Sequence, residues 1–244
     1  MEYVILYISG YKTKIILIGE NMRYLAAIFM LIDHIGMVLY PENMMFRIIG
    51  RLAMPIFAYG IAMGFIHTSS LKKYIIRLGI FTAVSQPFFL LMKYSINARV
   101  TGVNIGATFL IACVALILID TKINYVKLNI ENKWINMINN IIRGGLLILL
   151  CILTQIIKCD YGIYGVMVVI AFYYGIRTNS DEKGYMCFII ITLLNGNLIQ
   201  MFSILSIVLL PYAKNRSKRT PKYFFYVFYP LHMLVIYLVK IIVY

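Results

Sequence analysis

Acidic side chains are scarce in this chain. Nine Asp and Glu stand against 23 Lys and Arg among 244 residues, and charged residues of both signs make up 13%, against 62% hydrophobic. So little charge cannot coat a soluble globule of this length, which excludes a water-soluble enzyme or binding module. Cysteine is equally sparse. Cys113, Cys151, Cys159 and Cys187 form no CxxC pair and no ligand-type spacing, so neither a disulfide framework nor a metal site is expected. There is no internal repeat and no soluble domain. A cleavable signal peptide is not expected either. The basic charges of the first twenty residues, Lys12 and Lys14, fall in the middle, and no small-residue cleavage site follows.

What is there is basic and apolar. The formal net charge of +14 is spread over short loops instead of forming one basic stripe. That pattern fits the positive-inside bias of a polytopic membrane protein and argues against a nucleic-acid partner. A lipid bilayer is the expected surrounding, and a multi-pass position in the cell membrane the expected location.

Reading for apolar runs of about 20 residues gives spans near 22–40, 45–66, 71–92, 103–119, 141–157 and 161–176. Ile130, Trp134, Met137 and Ile141 recur at helical spacing in a polar stretch and predict a short interfacial helix. Residues 184–212 are too long for one span and carry Asn195, Gly196 and Asn197 in the middle. Two short spans turning there return Lys214, Arg216, Lys218, Arg219 and Lys222 to the cytoplasm, and a last helix runs over 222–244. The expectation is an all-α, polytopic helical bundle of about nine transmembrane helices, with 1–21 as a lead-in and 22–244 as the membrane domain.

Ionisable residues inside such spans are costly, about 2.5–3.5 kcal/mol at the bilayer centre on insertion scales, and usually mark a site. Asp33 and His34 lie side by side in the first span. Arg23 precedes His34 by eleven residues. At about 100° per residue the two side chains fall within about 20° of each other, about 16 Å apart along the axis. Arg51 in the second span, with Arg47 one turn earlier and Pro55 one turn later, reaches a depth near that of Asp33. His232, entering on the last helix, reaches the depth of His34. Three helices thus converge on one level.

A plainer reading stands beside this one: Asp33 and Arg51 as a structural ion pair, and each histidine as an interhelical hydrogen bond. Asp160 before Gly162 reads as a helix N-cap, and Gln86 with Pro87 as packing or a kink. Tyr226 and Tyr229 read equally as interface aromatics or substrate contacts. Lys72, Lys73 and Arg77 are positive-inside charges that could also meet an anionic ligand.

The segments FMLIDHIG, RIIGRLAMPIFAYGIAMGFIHTSSLKKYIIRL, DYGIYGV and YFFYVFYPLHMLVIYL resemble the TraX family of membrane proteins, in order from about residue 22 to the C-terminus. The resemblance implies an integral membrane acetyltransferase, similar to a wider group of transmembrane acyltransferases whose first helix carries an Arg followed eleven residues later by a His. Arg23 and His34 match that spacing. It also implies acetyl-CoA as acyl donor, its phosphates met by Arg23 with Lys72 or Lys73. His34 is then the candidate base, Asp33 and Arg51 a supporting pair, and His232 a second acid/base or an oxyanion donor. The acceptor remains a peptide, glycan or lipid amine or hydroxyl. Two rival classes stand beside this one: a proton-coupled transporter that uses Asp33, His34 and His232 as a relay, and a structural subunit of a secretion or conjugation assembly, in which the buried charges could be replaced without loss of an activity.

Overall fold

The computed structural model describes residues 22, 24–96, 101–120, 133–213 and 224–243. The lead-in 1–21, Arg23, Ile130 and the basic cluster 214–222 lie outside these residues. Among the described residues the regular structure is helical, apart from one isolated bridge pairing Val103 with Cys159.

Helix α1 spans Tyr24–Val38. A turn through Pro41 and Glu42 ends at Asn43, whose side chain accepts the amide of Met45 at 3.0 Å and so caps α2, Met44–Gly50. The run expected as one helix over 45–66 is broken. After α2 the chain turns at Arg51 and Leu52 before α3, Ala53–His67. Pro55 supplies the reason: it has no N–H for the carbonyl of Arg51 four residues back, and its ring crowds that oxygen. Arg51 therefore sits at a break in the helix, not on a regular face.

Helix α4, Leu71–Tyr94, is continuous through Pro87. Its Gln86 clamps the next turn, donating to the Gly102 carbonyl at 2.9 Å and accepting from the amide and side chain of Asn104 at 3.0 Å. Asn104 in turn caps α5, Ile105–Ile119, through the Gly106 amide at 2.9 Å. Helix α5 is buried around most of its circumference, as a central helix must be.

Helix α6, Lys133–Ile156, joins two elements that the sequence pattern separates. The described part of the expected interfacial helix and the span expected at 141–157 are one element. The apolar period continues in phase, with no proline to interrupt it. Helices α7, Gly162–Arg177, and α8, Asp181–Leu194, come next. The chain does turn at Asn195 and Gly196, the latter at φ +68°. Past this turn there is no single regular helix. The chain forms α9, Leu198–Met201, a 3-10 segment, Phe202–Val208, and α10, Leu210–Ala213. Helix α11 is Phe224–Val243.

Four stretches are long and apolar enough to cross a bilayer: Met44–His67, Leu71–Tyr94, Asn139–Ile156 and Phe224–Val243. The chain is a multi-pass membrane protein. Its core has two parts. The larger surrounds α7, which packs on α3, α5 and α8. The smaller gathers Val38, Phe89, Met92, Tyr229 and Met233 from α1, α4 and α11.

Candidate active site

A cavity of about 90 Å³ opens at the junction of these two cores. The first ionisable groups on its wall come from α1. Asp33 is buried, and His34 is half-buried one position on. Neighbouring residues on a helix point about 100° apart, so the two do not pair with each other. Each finds a partner on another helix.

Asp33 takes its partner from α2. Arg47 Nη1 donates to Asp33 Oδ2 at 2.8 Å and reaches the Asp33 carbonyl at 3.3 Å. Arg51, the partner expected from depth, also pairs with Asp33, but at a longer 3.7 Å from Nη2 to Oδ1 and without a hydrogen bond. The break at Arg51 turns its guanidinium elsewhere: Nη1 donates to the Tyr161 hydroxyl at 3.1 Å and to Gln200 Oε1 at 3.3 Å. The guanidinium carbon also lies 5.6 Å from the centre of the Tyr161 ring. Gln200 Nε2 donates on to the Tyr164 hydroxyl at 3.2 Å, which meets Thr192 and Ser203, also at 3.2 Å. Arg51 is thus fixed from the far side by a polar chain through α7, α8 and α9.

Close approach of α1 and α2 makes the Asp33–Arg47 contact possible. A Cβ on Gly50 would overlap Asp33, and one on Gly36 would overlap Phe46. Only glycine lets the backbones come this near.

His34 takes its partner from α11. Its Nδ1 lies 2.7 Å from Nε2 of His232, and Nδ1 of His232 lies 2.8 Å from the Phe228 carbonyl. The ring planes differ by 2° with centroids 4.9 Å apart. Face-stacked rings could not bring two nitrogens this close, so the imidazoles lie edge to edge in one plane. Phe228 stacks on His232 at 5.0 Å, and Tyr229 meets it edge-on at 5.6 Å. His34 lines the cavity; His232 stands behind it.

The remaining polar wall comes from the end of α4 and the α6–α7 turn. Lys93 donates to the Thr101 carbonyl at 3.1 Å and lies 4.7 Å from the Phe89 ring centre. Asp160 is not the helix cap expected from its position. The N-cap of α7 is Tyr161, which carries no side-chain capping bond. Asp160 is held by its backbone instead, its amide on the Val103 carbonyl at 2.9 Å and its carbonyl on the Thr108 hydroxyl. Tyr161 sits at φ +62°, a left-handed conformation uncommon for a tyrosine, and this aims its hydroxyl at Arg51.

Asp33, His34 and Arg51 thus share one cavity, with His232 bonded to its edge. Lys72 and Lys73 do not join them. Both are exposed on the first turn of α4, and the twenty residues from Lys73 to Lys93 span roughly 30 Å of helix. Arg23 lies outside the described residues. Of the two tyrosines left open, Tyr229 is buried and lines the cavity, whereas Tyr226 packs edge-on against Phe81. Sequence reasoning missed Tyr161, Gln200 and Lys93. A lone amide in the apolar run LIQMFSIL was the available signal for Gln200, and the DYGIYGV segment, quoted above for its resemblance alone, was the signal for Tyr161. Among the described residues no three His, Cys, Asp or Glu side chains converge as a metal site.

The class is a multi-pass helical membrane protein with a histidine pair and an arginine-braced aspartate around a small buried cavity. The TraX family model, described as TraX protein, matches residues 18–240, and the chain belongs to that family. It is 23% identical over 237 residues to a Dichelobacter nodosus protein named "Probable fimbrial assembly protein FimC, serogroup H1", a match covering 87% of this chain and 91% of that protein. A shorter match, 55% identical over 40 residues and covering 16% of each chain, is to an uncharacterised protein of Rickettsia prowazekii. No solved structure matches the chain.

Proposed function

We propose that this protein is a membrane acetyltransferase. It moves an acetyl group from cytoplasmic acetyl-CoA to an amine or hydroxyl of an envelope or exported acceptor. The observation that carries this reading is His34, on the cavity wall with its Nε2 unbonded among the described residues, facing a space that arginine and tyrosine also line. Acyl transfer needs these two functions together, a base for the nucleophile and donors for the oxyanion.

The acceptor N–H or O–H gives its proton to His34 Nε2 as its nitrogen or oxygen attacks the thioester carbonyl. The Tyr161 hydroxyl accepts from Arg51 and so keeps its own O–H to donate towards the oxyanion. Collapse breaks the C–S bond, and the departing thiolate of coenzyme A recovers the proton from His34. Arg47 neutralises Asp33, and together they hold α1 against α2, which fixes His34 one residue on.

The nine-span topology belongs to this reading. It places Arg23, Lys72 and Lys73 at the cytoplasmic mouth, where coenzyme A phosphates would meet them. It places the cavity nearer the outer face. The name of the Dichelobacter relative supports an acceptor among the subunits of surface fibres.

Mass spectrometry of envelope peptides and glycans, with and without the protein, tests the activity through the mass of one acetyl group. His34→Ala should lower the transfer rate by about 10²–10⁴-fold while accumulation and coenzyme A binding persist. A variant that acetylated at a near-normal rate would remove the mechanism. Acetylation unchanged when the whole protein is deleted would favour a transporter or an assembly subunit.

A further inference from the structure

We propose that His232 is a positioning residue for His34, holding it in the tautomer whose Nε2 is the base, and is not itself a second acid or base. The proposal deepens the acetyltransferase reading and rests on it.

The Phe228 carbonyl can only accept a hydrogen bond. Its 2.8 Å contact therefore requires the proton of His232 on Nδ1. A neutral imidazole protonated there carries its lone pair on Nε2. His34 Nδ1, 2.7 Å away, must then be the donor of the shared bond. With its proton on Nδ1, His34 keeps its lone pair on Nε2, and this is the nitrogen left without a partner among the described residues. One backbone carbonyl thus sets the protonation pattern of two rings in series.

The surroundings hold the pattern in place. His232 is 5% exposed and lies outside the cavity wall, and both its nitrogens are engaged, so it has no free atom for a substrate. Phe228 and Tyr229 fix its ring from the face and the edge. When His34 Nε2 takes a proton, its Nδ1–H bond to His232 becomes charge-assisted, which stabilises the imidazolium. A carboxylate performs this service in serine hydrolases. A neutral imidazole does it here without adding a further negative charge to the site.

Two substitutions separate positioning from mere packing. The side-chain oxygen of Gln can occupy the place of the histidine Nε2 and accept from His34, whereas that of Asn falls near Nδ1. His232→Leu and His232→Asn should each lower kcat about 10²-fold with the KM for acetyl-CoA unchanged, and His232→Gln should recover roughly tenfold of that loss. Equal activity of the Leu and Gln variants would overturn the proposal. The unsubstituted protein offers a second readout that needs no turnover. The chain has only three histidines, so the ¹⁵N resonances of the rings can be assigned. Near neutral pH His34 should carry its proton on Nδ1; a proton on Nε2 would overturn the proposal. Absence of any acetyl transfer by the unsubstituted protein would instead remove the acetyltransferase reading, leaving the tautomer to be read directly from the spectra.

Discussion

Asp33 pairs with two arginines and hydrogen-bonds to one. Arg47 and Arg51 are one helical turn apart, and by rise alone both approach the depth of the carboxylate. The helix break gives Arg47 the hydrogen bond to Asp33 and leaves Arg51 a longer ion pair with it, while the Arg51 guanidinium bonds Tyr161 and Gln200. Removing one member of a buried pair typically costs about 3–5 kcal/mol, because the other charge is left uncompensated. The Arg47 side chain is 24% exposed and that of Asp33 11%, so the lower end of that range applies. Asp33→Ala and Arg47→Ala should each lower the thermal midpoint of the detergent-purified protein, and the double variant should lose clearly less than the sum. The same cycle with Arg51→Ala should show weaker coupling. Strict additivity of Asp33 and Arg47 would show that the pair contributes nothing.

The packing of α1 on α2 decides whether the site exists at all. Gly50 brings the α2 backbone against Asp33, and a methyl group there would meet the aspartate side chain. Small residues at helix contacts serve this purpose in membranes, where lipid tails offer no hydrophobic drive for association. Gly50→Ala should displace Asp33, reduce stability and lower activity together. Gly60→Ala in α3 provides the control. A methyl group at Gly60 would have nothing within 4 Å, and alanine is the better helix former by about 0.8–1 kcal/mol. That variant should be neutral or slightly more stable in thermal unfolding. Equal damage at the two positions would mean that the α1–α2 contact has no special role. The α6–α7 turn shows the limit of reading at this scale. Asp160 has the sequence position of a cap, just before Gly162, yet a backbone bridge to Val103 holds it and Tyr161 takes the cap position.

Across the whole molecule, the expected topology is open to a direct check. Reporter fusions at Lys73, Lys133 and Lys218 should lie in the cytoplasm, and those at Glu42 and Gly196 outside. A reporter at Lys218 found outside would break the two-span account of 184–212 and reverse the entry of α11. The all-helical, multi-pass character was legible from composition and run length, because a bilayer admits few alternatives to apolar helices. So was the turn at Asn195 and Gly196, and so was the meeting of Asp33, His34, Arg51 and His232, since helical rise gives residues on different helices a comparable position along the helix axes. Azimuth is another matter. Which arginine Asp33 hydrogen-bonds, which nitrogen of His34 meets His232, and which tyrosine braces Arg51 depend on how helices far apart in sequence rotate and approach. Those quantities follow from close packing at Gly50, from the break before Pro55 and from the left-handed turn at Tyr161, and a one-dimensional pattern of apolar residues carries no record of them.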